Sequence, residues 1–192
     1  QRALTSRGLQ PTAVATVERT TVDVAAAVKT RVAAQPEAVV QISAYKSCAA
    51  FIREARKAGY GGLFYNVSFV GTQALADELG KDAAGVVISQ VMPSPFGTAV
   101  GLVNDYQQAL HRFDPKAEPN YTSIEGYVAA RVIVDALRRL GGRPTREGLI
   151  SSLEGLSGYE SRGYRLHFGP TKHVGSNFVE LSMLTADGKV RR

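Results

Sequence analysis

The first 89 residues alternate between short apolar segments and longer amphipathic segments, joined by short connections. Apolar, β-branched runs predict strands at 12–17, 38–42, 63–65 and 85–89. Between them, apolar residues recur at helical spacing and predict helices at 22–34, 48–58 and 72–79. Thr20 and Asp23 stand at capping-box spacing before the first of these helices. The pattern predicts an α/β fold with a doubly wound parallel sheet, covered by helices on both faces.

The pattern changes after Met92. The segment 93–95, Pro-Ser-Pro, can continue neither a strand nor a helix, so we expect it to cross between two lobes. Two long helices and a short helix capped by Thr145 follow, and then strands at 164–168 and 178–184 with a turn at 187–188. The apolar residues that mark the long helices are Val103, Tyr106, Leu110 and Phe113, and then Tyr127, Ala130, Val134 and Leu137.

Charge and composition indicate a basic soluble protein. The net charge is +6, but the basic residues are scattered and no Trp is present, which favours an ordinary basic surface over one that binds nucleic acid or a membrane. No apolar run approaches the ~20 residues that span a bilayer. The chain opens at Gln1 without a start Met, so we interpret this N-terminus as not the natural one. The absence of a signal peptide is therefore no evidence for a cytoplasmic location.

The motifs of common enzymes are missing from this sequence. It contains no G-x-S-x-G, G-x-G-x-x-G, phosphate-loop or H-E-x-x-H pattern. Cys48 lies on an apolar helical stripe, where a buried small residue is favoured over a nucleophile. For His111, His167 and His173 a solvated surface is favoured over a metal site. We therefore expect a binding protein rather than an enzyme, with no metal and no cofactor.

A ligand of an open α/β sheet binds beyond the carboxyl ends of the strands. This rule points to the loops 18–20, 43–47, 66–69 and 90–92. The second and third loops mix hydroxyl, amide and aromatic groups, which suits a small, partly polar solute. Two alternatives stay open, because Ser47 could only cap the following helix and Asn66 could only stabilise a turn. The candidate ligand-binding residues are Ala44, Tyr45, Lys46, Asn66, Ser68 and Phe69.

Three separate segments carry a resemblance to a known family. They are the stretch from Ala38-Val39-Val40 through Ser43-Ala44-Tyr45 and Phe64-Tyr65-Asn66 to Val70-Gly71, the run Ser123-Ile124-Glu125-Gly126-Tyr127, and the ending from Gly175-Ser176-Asn177 to Asp187-Gly188-Lys189. They resemble the leucine/isoleucine/valine-binding proteins, which are type I periplasmic binding proteins and solute receptors of ABC importers. The resemblance implies a Rossmann-like lobe of a two-lobed protein, of which this chain is a C-terminal fragment.

Placed on that plan, residues 1–93 are most of the second lobe, 94–156 return to the first lobe, and 157–192 return to the second. The resemblance implies that most of the first lobe and the opening strand of the second precede this fragment. It further implies a periplasmic, non-enzymatic receptor that closes its lobes on a branched-chain or related amino acid or a small carboxylate. The implied partners are this solute and a membrane permease, with no nucleic acid.

Two site positions can be carried over from the family. Tyr45 matches the aromatic residue that the family places after the strand predicted at 38–42. Ser68 occupies the position where the leucine-type receptors offer a carboxylate to the ammonium group of the solute. A hydroxyl there favours a solute without a cation at this point, such as an aromatic or aliphatic acid or an amide. The alternatives are the ligand-sensing domain of a transcriptional regulator or membrane receptor with the same architecture, and an enzyme built on the same sheet.

Overall fold

The computed structural model describes residues 1–18 and 21–192, which group into two compact units. Unit 1 comprises Gln1–Ser89 with Leu181–Arg192, and unit 2 comprises Gln90–Glu180. In chain order the elements are α1 (Arg2–Thr5), α2 (Ala25–Ala33), β1 (Ala38–Gln41), α3 (Tyr45–Lys57), β2 (Leu63–Val67), α4 (Thr72–Leu79), β3 (Val86–Gln90), α5 (Gly101–Phe113), α6 (Tyr121–Leu140), α7 (Arg146–Glu154), β4 (Tyr159–Ser161), β5 (Tyr164–Leu166), β6 (Glu180–Leu184) and β7 (Val190–Arg191). Short 3₁₀ turns cover Ser68–Val70 and Gly80–Ala83.

The central sheet has the order β1-β2-β3-β6-β7. β1, β2 and β3 pair in parallel, and β6 and β7 pair antiparallel, so the predicted α/β fold with a mainly parallel sheet is confirmed. The register puts Val39, Phe64 and Val86 in one row across the sheet, all of them buried. These residues form one wall of the core of unit 1.

Within unit 1, helices α2, α3 and α4 contribute to the single core that lies on this buried face. On the opposite face Val40, Leu63, Leu181 and Met183 are exposed and Val87 is buried, so α2, α3 and α4 all lie on the other face of the sheet. Strand order gives the physical reason. β1, β2 and β3 follow one another in one direction, and right-handed crossovers in one direction place α3 and α4 on the same side.

Residues 12–17 are not the strand that the sequence predicted. Their exposure alternates as in a strand, with Ala15 and Val17 packed against the core and Val14 exposed. A strand also needs a backbone neighbour at ~4.8 Å, and here a cavity separates this segment from β1. The predicted capping residue Thr20 lies outside the described residues, and α2 begins at Ala25, later than expected.

Unit 2 consists of three helices and the β4–β5 hairpin. The predicted Thr145 cap is confirmed, since Thr145 Oγ1 accepts a hydrogen bond from the Gly148 N–H at 3.1 Å. The face that α6 buries differs from the apolar residues that marked it, because Val134 and Leu137 are exposed. The buried stripe of α6 is Tyr121, Ile124, Val128, Val132 and Ala136.

The boundaries of the units lie near 89/90 and 180/181. The predicted division at 93/94 and 156/157 concerns the lobes of a whole two-lobed protein, and it stays a prediction. Residues 157–180 group with unit 2, where Arg162 of the hairpin pairs with Asp105 of α5 at 2.8 Å. Within the described residues, no helix has both the length and the apolar character needed to cross a bilayer.

Candidate functional site

The rim of unit 1 is formed where β1 and β2 end and α3 begins. Ala44 is the N-cap of α3, and Tyr45 and Lys46 belong to its first turn. No side chain caps this helix, so the alternative that Ser47 is a cap is wrong. Ser47 Oγ instead donates to the Thr21 carbonyl at 2.6 Å, which fastens the start of α3 to the segment before α2. Three predicted site residues therefore sit at one helix terminus.

A cavity of about 680 Å³ opens at this rim. It brings together four of the six predicted site residues, Ala44, Tyr45, Lys46 and Phe69. Phe69 is 77% exposed, and the Lys46 Nζ lies 6.0 Å from the centre of the Tyr45 ring. The cavity continues along the outer edge of β1 to residues 15–17. The phenol ring of Tyr45, the benzyl side chain of Phe69 and the cation of Lys46 thus line the same cavity.

The other two predicted residues do not line this cavity. Asn66 lies within β2 and is buried, so the alternative that it stabilises a turn is wrong. Ser68 begins the 3₁₀ turn after β2, where its carbonyl accepts a hydrogen bond from the Gly71 N–H at 3.0 Å. Gly71 has a φ of 75°, a left-handed conformation that suits glycine. The role of Asn66 and Ser68 in solute binding stays a prediction.

Sequence analysis missed Gln41, the last residue of β1. Gln41 lines the cavity, and its Nε2 donates a long hydrogen bond to the Cys48 carbonyl at 3.5 Å. Its Oε1 is buried and has no hydrogen-bond partner among the described residues. The signal that could have found it was a polar residue at the carboxyl end of an otherwise apolar strand.

The described wall of the cavity carries positive charge only. Arg31 of α2 and Lys46 of α3 contribute cations, and no described Asp or Glu lines it. The acidic residues nearest in sequence to the wall, Glu18 and Asp23, lie outside it. The first turn of a helix is also the positive end of its dipole. This rim therefore favours a neutral or anionic group over a cation.

Cys48 is buried as predicted, with 1% of its surface exposed. Burial raises the pKa of its thiol to about 11, and the thiol donates a hydrogen bond to the Ser43 carbonyl at 3.5 Å. The thiol is therefore protonated at neutral pH and is a poor nucleophile. Within residues 1–18 and 21–192, no group of three or more His, Cys, Asp or Glu could hold a metal ion.

Comparisons with known proteins agree on one family. The model of the periplasmic binding protein family matches residues 1–189. A possible leucine/isoleucine/valine-binding protein from Rhodopirellula baltica is 31% identical with a TM-score of 0.83, over 91% of this chain and 48% of that chain. A substrate-binding periplasmic protein from Ralstonia solanacearum is 28% identical with a TM-score of 0.87, over 98% and 54%.

A third solved structure supports the fold alone. It is a branched chain amino acid ABC transporter protein from Thermus thermophilus with bound valine, 19% identical with a TM-score of 0.80, over 99% of this chain and 53% of that chain. No curated protein matches this chain. The chain spans about half the length of these three solved relatives. Its match over residues 1–189 shows that the chain belongs to the periplasmic binding protein family.

Proposed function

We propose that the full-length protein is a periplasmic solute-binding receptor of an ABC importer. It takes a branched-chain or related amino acid or a small carboxylate and does no chemistry on it. The observation that carries this proposal is the rim cavity, where Ala44, Tyr45, Lys46 and Phe69 face one space in a chain of this family. The likeness to a possible leucine/isoleucine/valine-binding protein from Rhodopirellula baltica, which is 31% identical, supports the solute class.

The cavity supplies two kinds of contact to a small solute. The rings of Tyr45 and Phe69 offer apolar surface, and Lys46 with the first turn of α3 offers positive potential. A solute held between two lobes binds both only when they close, so its binding energy shifts the population towards a closed form. A membrane permease would then recognise that form.

The charge of the cavity wall narrows the solute class. The charged side chains on the described part of this wall are Arg31 and Lys46, and both are cations. They would repel an ammonium group of the solute at this place. A neutral apolar end or a carboxylate fits better, in keeping with Ser68 at the position where the leucine-type receptors have a carboxylate. The sole thiol, Cys48, is buried and protonated, which argues against a thiol-based enzyme.

Isothermal titration of the full-length protein tests the proposal. The panel contains valine, leucine, benzoate, phenylacetate, a short dicarboxylate and a short amide. We expect at least one amino acid or carboxylate to bind in the micromolar range or tighter, with no turnover of the bound solute. Failure of the whole panel to bind, or recovery of a chemically altered solute, would contradict the proposal. Cell fractionation would test the periplasmic location independently.

A further inference from the structure

Two amide side chains lie side by side where β1 and β2 end. Gln41 and Asn66 are register partners on adjacent parallel strands. Register partners point to the same face of a sheet, with strands ~4.8 Å apart. Asn66 follows Phe64 by two residues, so both amides lie on the face that the helices cover. The next residue in this row, Ile88 of β3, is apolar and buried.

The buried amide atoms of this pair lower the stability of the folded protein, because several of them lack hydrogen-bond partners among the described residues. Asn66 is 3% exposed, and neither its Nδ2 nor its Oδ1 has a hydrogen-bond partner among the described residues. The Oε1 of Gln41 is also buried without one. Buried polar atoms are nearly always hydrogen-bonded, because leaving them unpaired costs their full desolvation. Leucine has nearly the shape of asparagine and would avoid that cost.

The position of the pair connects it to the proposed solute site. Gln41 lines the rim cavity together with Tyr45 and Lys46, and Asn66 lies directly beside it in the sheet. A primary amide offers one acceptor and two donors and carries no charge. The two amides together therefore match a neutral group that can both donate and accept hydrogen bonds.

We propose that Gln41 and Asn66 bind one neutral donor–acceptor group when the cavity is occupied. Its source is either a hydroxyl or amide of the solute, or a water molecule held under the solute. Gln41 contacts this group from the cavity wall. Asn66 lies beside Gln41 on the next strand, one strand further from the cavity, and supplies the second amide of the pair. The inference rests on the proposed function, since it assigns a specificity-determining pair within the same site.

The test uses Asn66→Leu in the full-length protein, titrated with whichever of benzoate, phenylacetate, valine or leucine the wild type binds. We expect a higher Tm, because the unpaired amide is gone, and an affinity about tenfold weaker. Phe64→Leu is the matched control on the same strand and face. It should lower Tm and leave the affinity within about twofold. If Asn66 had only a structural role, its replacement would not weaken solute binding while raising Tm.

Paired solutes distinguish the two sources of the group. If the solute supplies it, 4-hydroxybenzoate binds wild type more tightly than benzoate, and Asn66→Leu removes the difference. If water supplies it, both solutes weaken equally in Asn66→Leu.

Unchanged affinity in Asn66→Leu would overturn the inference. If that variant does not fold, Gln41→Leu at the partly buried position decides, with a tenfold loss supporting the inference and no loss overturning it. Absence of solute binding by wild type would overturn the proposed function and this inference with it.

Discussion

Ser47 donates its hydroxyl hydrogen to the carbonyl of Thr21 over 2.6 Å, across 26 positions of the chain. Ser47 is buried in the first turn of α3, and this bond fixes that turn against the segment before α2. Since α3 presents Tyr45 and Lys46 to the cavity, the bond also fixes the rim.

We therefore predict that Ser47→Ala lowers the free energy of unfolding by about 1 kcal/mol, because it leaves the Thr21 carbonyl without this donor. Urea denaturation of the full-length protein measures it. Ser151→Ala, at an exposed position of α7, is the control and should change stability by less than about 0.5 kcal/mol. Equal effects of the two substitutions would contradict the assigned role of Ser47.

Asp105 ties together three elements of unit 2. Its Oδ2 accepts from Arg131 of α6 and its Oδ1 from Arg162 of the hairpin, each at 2.8 Å. The hydrogen bond to Asp105 is the main reason that the pKa of Arg131 lies above its usual range. The carboxylate is 18% exposed, so solvent screens these pairs only in part.

Asp105→Asn should therefore cost about 2 kcal/mol of stability, measured by urea denaturation. Lys57→Gln removes an exposed pair with Glu54 and should cost less than about 0.5 kcal/mol. A loss at Asp105 no larger than this control would show that the paired arginines add nothing to the fold.

The Nζ of Lys46 lies 6.0 Å from the centre of the Tyr45 ring, and both residues line the cavity. We predict that Lys46→Gln weakens binding of a carboxylate solute about fivefold, because an exposed charge contributes roughly 1 kcal/mol. Titration at two salt concentrations should show that wild-type affinity falls with salt more than that of the variant. Lys57→Gln, near the far end of the same helix and outside the cavity wall, should bind like wild type.

The buried thiol gives a prediction that needs no solute. At pH 8 the rise in the pKa of Cys48 from 9.0 to about 11 lowers its thiolate fraction about a hundredfold. Iodoacetamide should therefore alkylate the folded protein at least about a hundredfold more slowly than the urea-unfolded chain. The unfolded thiol loses its proton first, so Cys48 should reduce stability as pH rises through about 9 to 11. Rapid labelling of folded protein would contradict the burial.

The turn between β6 and β7 contains an acid with a lowered pKa. Hydrogen bonds from Lys189, and then from Thr185, lower the pKa of Asp187 from 3.8 to about 2. Its stabilising effect is present above pH 3.8 and is lost as pH falls towards 2. Carboxyl carbon NMR should show a midpoint near 2, and Lys189→Gln should raise it towards the ordinary value. An unchanged midpoint in that variant would remove Lys189 as the cause.

Local sequence was sufficient for most of the elements. The apolar spacing of Cys48, Phe51, Ile52 and Ala55 identified α3, and Thr145 identified the start of α7, because these signals depend on residues within one or two turns. Sequence also located four residues of the cavity, Ala44, Tyr45, Lys46 and Phe69, since the carboxyl ends of parallel strands share one edge.

By itself, then, the sequence determined the alternation of strands and helices from β1 to β3, the parallel direction of these strands and four of the residues that line the rim cavity. Only the tertiary structure decided that residues 12–17 stay apart from β1, that the helices of unit 1 share one face, and that Gln41 and Asn66 are neighbouring buried amides. Pairing and burial depend on contacts between residues far apart in the chain, and local periodicity carries no information about which strand or helix fills a given space.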